Sequence, residues 1–79
     1  VEFMKNCRAY QLSNRESQVS EYLCRGLTYR QIADYLYISE KTVDAHIQRI
    51  FLKTGVNKKI ELQKTLGYGA TPEAEGSQV

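Results

Sequence analysis

With 79 residues, 42% of them hydrophobic and 25% charged, the chain is long enough for one small globular domain and too short for a second. No apolar run approaches the ~20 residues needed to cross a bilayer, and no charged-then-apolar start resembles a leader, so the module is expected to be soluble and cytoplasmic. A net charge of +2 neither demands nor excludes a polyanionic partner, because the distribution of charge matters more than its sum.

In chain order, residues 1–11 are expected to form an arm or linker. Phe3, Met4, Tyr10 and Leu12 suggest that part of this start packs, as a helical turn. Ser13-Asn14-Arg15-Glu16 is a capping box, in which the hydroxyl and the carboxylate satisfy each other's backbone N–H groups. Val19, Tyr22 and Leu23 follow at helical spacing and Gly26 supplies a left-handed stop, predicting a first helix over about 14–25. Arg15 and Glu16 are expected to act as an ion pair and cap. Cys7 is read as a free thiol near a loose end, and Cys24 as a small apolar helix residue. Two cysteines fit a reducing compartment better than a disulfide framework.

Thr28-Tyr29-Arg30-Gln31 repeats the capping signal and starts a second helix over about 29–36, with Ile32, Ala33 and Leu36 as its apolar stripe. After the short link Tyr37-Ile38, Ser39 caps a third helix over about 40–54 that ends at Gly55. Asn57 is expected to cap a fourth helix over about 58–67, carrying Ile60, Leu62 and Leu66. Domain 12–68 is then followed by a flexible tail over 69–79, rich in Gly, Glu and small residues. The fold class is all-α, a compact four-helix bundle.

A short capped helix, a tight turn and a longer capped helix make a helix-turn-helix, whose second member enters the DNA major groove. On the third helix Val43, Ile47, Ile50 and Thr54 fall on the inward side. Lys41, Asp44, Ala45 and Gln48 fall on the opposite side, as short and polar groups that base edges can accept. A large aliphatic residue on that side would argue for a protein partner instead. Between Ser39 and Lys59 five basic residues stand against two acidic ones, leaving +3 in that stretch. Thr28 and Tyr29 at the start of the second helix, with Thr42, Arg49, Lys53, Lys58 and Lys59, are the candidates for the DNA backbone.

The run Leu12-Ser13-Asn14-Arg15-Glu16, then Val19, Gly26, Ile32-Ala33, Leu36, Ile38-Ser39, Thr42-Val43, His46, Ile50, Lys53, Gly55-Val56 and Glu61, resembles the LuxR/NarL-type (GerE-like) C-terminal domain of bacterial transcription regulators. The likeness covers about residues 12–66 and rests on many spaced positions. It implies a tetrahelical DNA-binding output domain whose third helix reads the major groove of double-stranded DNA, under the control of a regulatory domain elsewhere in the full-length chain. It further implies that Thr42 and Lys53 touch the DNA backbone, that Asp44, Ala45 and Gln48 face bases, and that the fourth helix pairs two copies, with Leu62 and Leu66 as its candidate dimer face. Three positions depart from the family pattern: Asp44 stands where a lysine is common, Gln48 is neutral where a basic residue is often found, and Thr54 replaces the usual leucine.

The alternative is a helix-turn-helix module kept for protein–protein interaction or dimerisation, with weak DNA binding; Asp44 and the modest net charge motivate it. A sigma-factor domain opens similarly, but the Gly55-Val56-Asn57 turn followed by another helix favours the LuxR kind. Tyr22, Tyr35 and Tyr37 are expected in the core or at its edge. His46, the single histidine, lacks acid or Cys partners at ligand spacing, so no metal and no cofactor are expected. No catalytic constellation or phosphate loop is legible, so no enzymatic activity is expected.

Overall fold

The computed structural model describes residues 2–68, which form five helices and no strand. They are α1 (Glu2–Ala9), α2 (Asn14–Cys24), α3 (Tyr29–Leu36), α4 (Glu40–Thr54) and α5 (Lys59–Leu66). Residues 69–79, expected as a flexible tail, lie outside the described residues.

The helix starts follow from local chemistry. Ser13 Oγ accepts from the Glu16 N–H at 3.1 Å while Glu16 Oε1 accepts from the Ser13 N–H at 2.9 Å. Thr28 and Gln31 repeat the same exchange at 3.1 and 2.9 Å, and Ser39 Oγ accepts from the Thr42 N–H at 3.0 Å. Such caps are each worth roughly 1 kcal/mol. Gly55, at φ 76°, closes α4 in the left-handed conformation that glycine adopts without strain.

Three local expectations change. The cap of α5 is Lys58, with no side-chain cap bond, and Asn57 does not fill that role. The link after α3 turns through Tyr37 at φ 58°, a left-handed non-glycine residue, and this throws its ring outward to 94% exposure. Tyr35 also stands out in solvent, and only Tyr22, stacked on it at 5.5 Å, remains at the core edge.

The start of the chain is more ordered than a single helical turn. Phe3 and Cys7, four residues apart, give α1 a buried stripe, and α1 packs on α5. Phe3 meets Tyr68 edge to face at 5.5 Å, and Asn6 Nδ2 donates to the Leu66 carbonyl at 3.0 Å, capping the end of α5. Cys7 is therefore a core residue and not a thiol at a loose end. Burial pushes its thiol up, and burial next to Cys7 pushes Cys24 up to about 11, so both stay protonated and inert at neutral pH.

The centre of the core is α4, which packs against both α2 and α3, while α5 closes the far side against α1 and α2. Leu62 and Leu66 are fully buried, so the proposed dimer face is in fact core. The apolar residue that α5 leaves outside is Ile60, 57% exposed, so Leu62 and Leu66 share the inner face without it. Leu62→Ala is expected to cost about 2–5 kcal/mol in urea unfolding. Ile60→Ala should stay within about 1 kcal/mol. Equal costs would contradict this orientation of α5.

Candidate nucleic-acid interface

The pair α3–α4 with its three-residue link has the helix-turn-helix plan, and the burial of α4 fixes which side faces out. Val43, Ile47 and Ile50 are buried to 1% exposure or less, and Thr54 lies beside them with its hydroxyl donating to the Ile50 carbonyl at 2.8 Å. A threonine fits there because its one polar atom is satisfied within its own helix.

The opposite side is open. Lys41, Ala45 and Gln48 are exposed, and Asp44 is half-buried on the flank. Gln48 Nε2 lies 3.5 Å from Asp44 Oδ2, at the long limit of a hydrogen bond, so Gln48 is not tied down. The residues expected at the DNA backbone, Thr28, Tyr29, Thr42, Arg49, Lys58 and Lys59, are all exposed. Among the described residues none of these cations has an ion-pair partner.

Sequence reasoning missed Leu52. It continues the series Lys41, Ala45, Gln48 by one more turn and is 82% exposed. Carrying the i, i+4, i+7 pattern on to i+11 would have found it. Leu52 forms the rim of a cavity of about 410 Å³ whose apolar floor is Ile47, Phe51 and Val56 and whose polar edge includes Tyr29, Asp44, Gln48 and Asn57.

Lys53 is placed differently from its neighbours. Its Nζ donates to Glu16 Oε1 at 2.7 Å and to the Gln11 carbonyl at 3.1 Å. The partner of Glu16 is therefore Lys53 and not Arg15, which is exposed. The Glu16 side chain is only 5% exposed. Burial alone would push its carboxyl up. The hydrogen bonds from Lys53 and the Ser13 N–H, the Lys53 charge and the nearby His46 outweigh burial and hold it below its usual value. His46 is half-buried on the same flank of α4, with Nδ1 unpartnered among the described residues. No group of three metal-ligating side chains exists among those residues, and no helix there is long and apolar enough to cross a membrane.

The model of "Bacterial regulatory proteins, luxR family" matches residues 10–65. The chain belongs to this luxR family. Curated relatives agree with the assignment. The luxR-family domain is 45% identical over 51 residues to the Fimbriae Z protein of Salmonella typhimurium, covering 65% of this chain and 24% of that protein. It is 44% identical over 55 residues to the Uncharacterized response regulatory protein YgeK of Escherichia coli, covering 70% and 37%. To the Transcriptional regulatory protein UhpA of Escherichia coli it is 38% identical over 55 residues, covering 70% and 28%. The chain thus spans 24% to 37% of the length of these relatives. No solved structure matches it. Helix α1 lies outside the span matched by the luxR model.

The lowered Glu16 pKa makes a prediction. A group whose folded pKa is depressed stabilises above its unfolded pKa and loses that contribution as pH falls through the folded one. Wild-type stability is therefore expected to fall from about pH 5 downward. Glu16→Gln keeps the capping oxygen; it should be less stable at pH 7 and lose less across the same window. Parallel pH profiles for the two proteins in urea unfolding would contradict this.

Proposed function

We propose that this domain binds double-stranded DNA sequence-specifically, with α4 in the major groove, as the output part of a longer bacterial transcription regulator. The observation that carries this reading is the two-sidedness of α4. Its inner stripe is consumed by the core, which leaves Lys41, Ala45 and Gln48 projecting as a polar ridge beside uncommitted cations. Lys41, Asp44, Ala45 and Gln48 face base edges. Gln48 suits adenine, and Asp44 suits a cytosine amino group. Thr28, Tyr29, Thr42, Arg49, Lys58 and Lys59 meet the backbone of the two strands. The family and the relatives' printed names support regulation of transcription, with the remainder of the longer chain supplying the input. Work on chromosomal DNA places the protein in the cytoplasm.

A second reading, a protein-binding face, is favoured by Leu52 and the cavity it borders. Reach decides between the two. Leu52 lies about 16 Å along the axis from Lys41, at roughly 1.5 Å per residue, near the C-terminal end of α4, whereas a recognition helix meets base edges with its N-terminal residues. The first turns of α4 enter the groove, and Leu52 stays at its mouth, where an apolar group costs little.

Labelled duplex DNA titrated at two salt concentrations tests the proposal. Affinity should fall steeply between roughly 50 and 200 mM salt, and Asp44→Lys should strengthen binding to mixed-sequence duplex several-fold, by adding a cation beside the phosphates. Absent or salt-independent binding to every duplex, including those offered in a random pool, would overturn the proposal in favour of the protein-binding reading.

A further inference from the structure

The apolar stripe of α4 sets which side of the helix faces out, but apolar contacts are non-directional and hold the fine roll about its axis less tightly than a directional bond does. A directional bond to another element would fix it. Among the described residues, the side-chain hydrogen bonds that Ser39, Thr42, Gln48 and Thr54 make all stay within α4 or its cap. Lys53 alone bonds outside the helix, to Glu16 at the start of α2 and to Gln11 in the turn before it.

The Lys53 contact joins three features at one point. Glu16 Oε1, which receives Lys53, also holds the Ser13 N–H and so closes the α2 capping box. The carbonyl on the other side belongs to Gln11, a non-glycine residue at φ 61°. Two of the three ammonium hydrogens are used. Swinging Lys53, whose side chain is itself 38% exposed, out to a phosphate would leave a carboxylate only 5% exposed with one backbone N–H as its remaining partner, and a buried charge that loses its counter-charge is destabilised. Arg49, by contrast, gives up no ion pair among the described residues to reach a phosphate.

We propose that Lys53 is a positioning residue: it locks the roll of α4 against α2 so that Lys41, Ala45 and Gln48 present the correct edge to the groove, and it does not contact the DNA backbone. This rests on the DNA-binding reading above and sharpens it. The expected role of Lys53 at the backbone is replaced by one exercised through Glu16.

The test compares wild type with Lys53→Met, Lys53→Arg and Glu16→Gln. The probes are a short duplex selected from a random pool by the wild-type protein and a mixed-sequence duplex, each titrated over a range of salt. Far-UV circular dichroism checks that each variant is folded. A positioning role predicts that Lys53→Met lowers the ratio of selected to mixed-sequence affinity by about tenfold, the scale of one lost base contact, with the slope of log affinity against log salt unchanged. Lys53→Arg should restore most of the ratio. Glu16→Gln, which releases the ammonium and keeps the capping oxygen, should also lower the ratio, and it carries the test alone if Lys53→Met does not fold.

A phosphate contact predicts otherwise. Lys53→Met would then weaken both duplexes equally and reduce the slope by about 1, and Glu16→Gln would strengthen both by freeing the cation. Either result overturns the proposal, as does an unchanged ratio. A wild-type protein that binds neither duplex sinks the DNA-binding reading itself, a failure distinct from any behaviour of the variants.

Discussion

The burial of Val43, Ile47 and Ile50 between α2 and α3 is the constraint on which the rest of the molecule depends. These three side chains are the inner stripe of α4, and a small domain has few other large apolar groups with which to build a core. Once they are inside, Lys41, Ala45 and Gln48 must be outside, because a helix of fixed pitch cannot bury both sides against the same neighbours. Stability and presentation to DNA therefore share one cause. A change that loosens the inner stripe also misdirects the outer one.

Around that stripe the fold adds orientation at modest energetic cost. Three side-chain caps start α2, α3 and α4 at fixed residues, so the link between α3 and α4 has only Tyr37, Ile38 and Ser39 in which to turn. Tyr37 takes the left-handed conformation at that turn, which disfavours a non-glycine residue by about 1–2 kcal/mol. Its ring makes no compensating burial. A stretch this short leaves the angle between the two helices little freedom, and the Lys53–Glu16 bond then fixes the far end of α4.

Much of this was legible in the sequence because it is written in short-range chemistry. Ser13/Glu16, Thr28/Gln31 and Ser39 mark helix starts by hydrogen bonds spanning three residues, and the inner stripe of α4 follows from helical period alone. What resisted reading depends on distant partners. Phe3 and Cys7 look like a loose arm until α5 supplies a surface for them to cover. Leu62 and Leu66 look like spare apolar surface until α1 and α2 enclose them. Arg15 adjoins Glu16 in sequence but points to solvent, while Lys53, 37 residues away, reaches the carboxylate. Tyr37 was misplaced for a local reason: a bulky left-handed residue is rare enough that an inward ring was the better expectation. Leu52 is legible from the same helical period, one turn beyond Gln48.

The most direct measurement of the central claim is a map of backbone amide chemical-shift changes when duplex DNA selected by the protein is added to isotopically labelled domain. The largest changes should fall on Thr28–Gln31 and Lys41–Gln48, with α1 and the buried residues of α5 nearly silent. Changes concentrated on α1 or on the outer side of α5, with Lys41, Ala45 and Gln48 unmoved, would contradict the claim that α4 offers its open side to the groove.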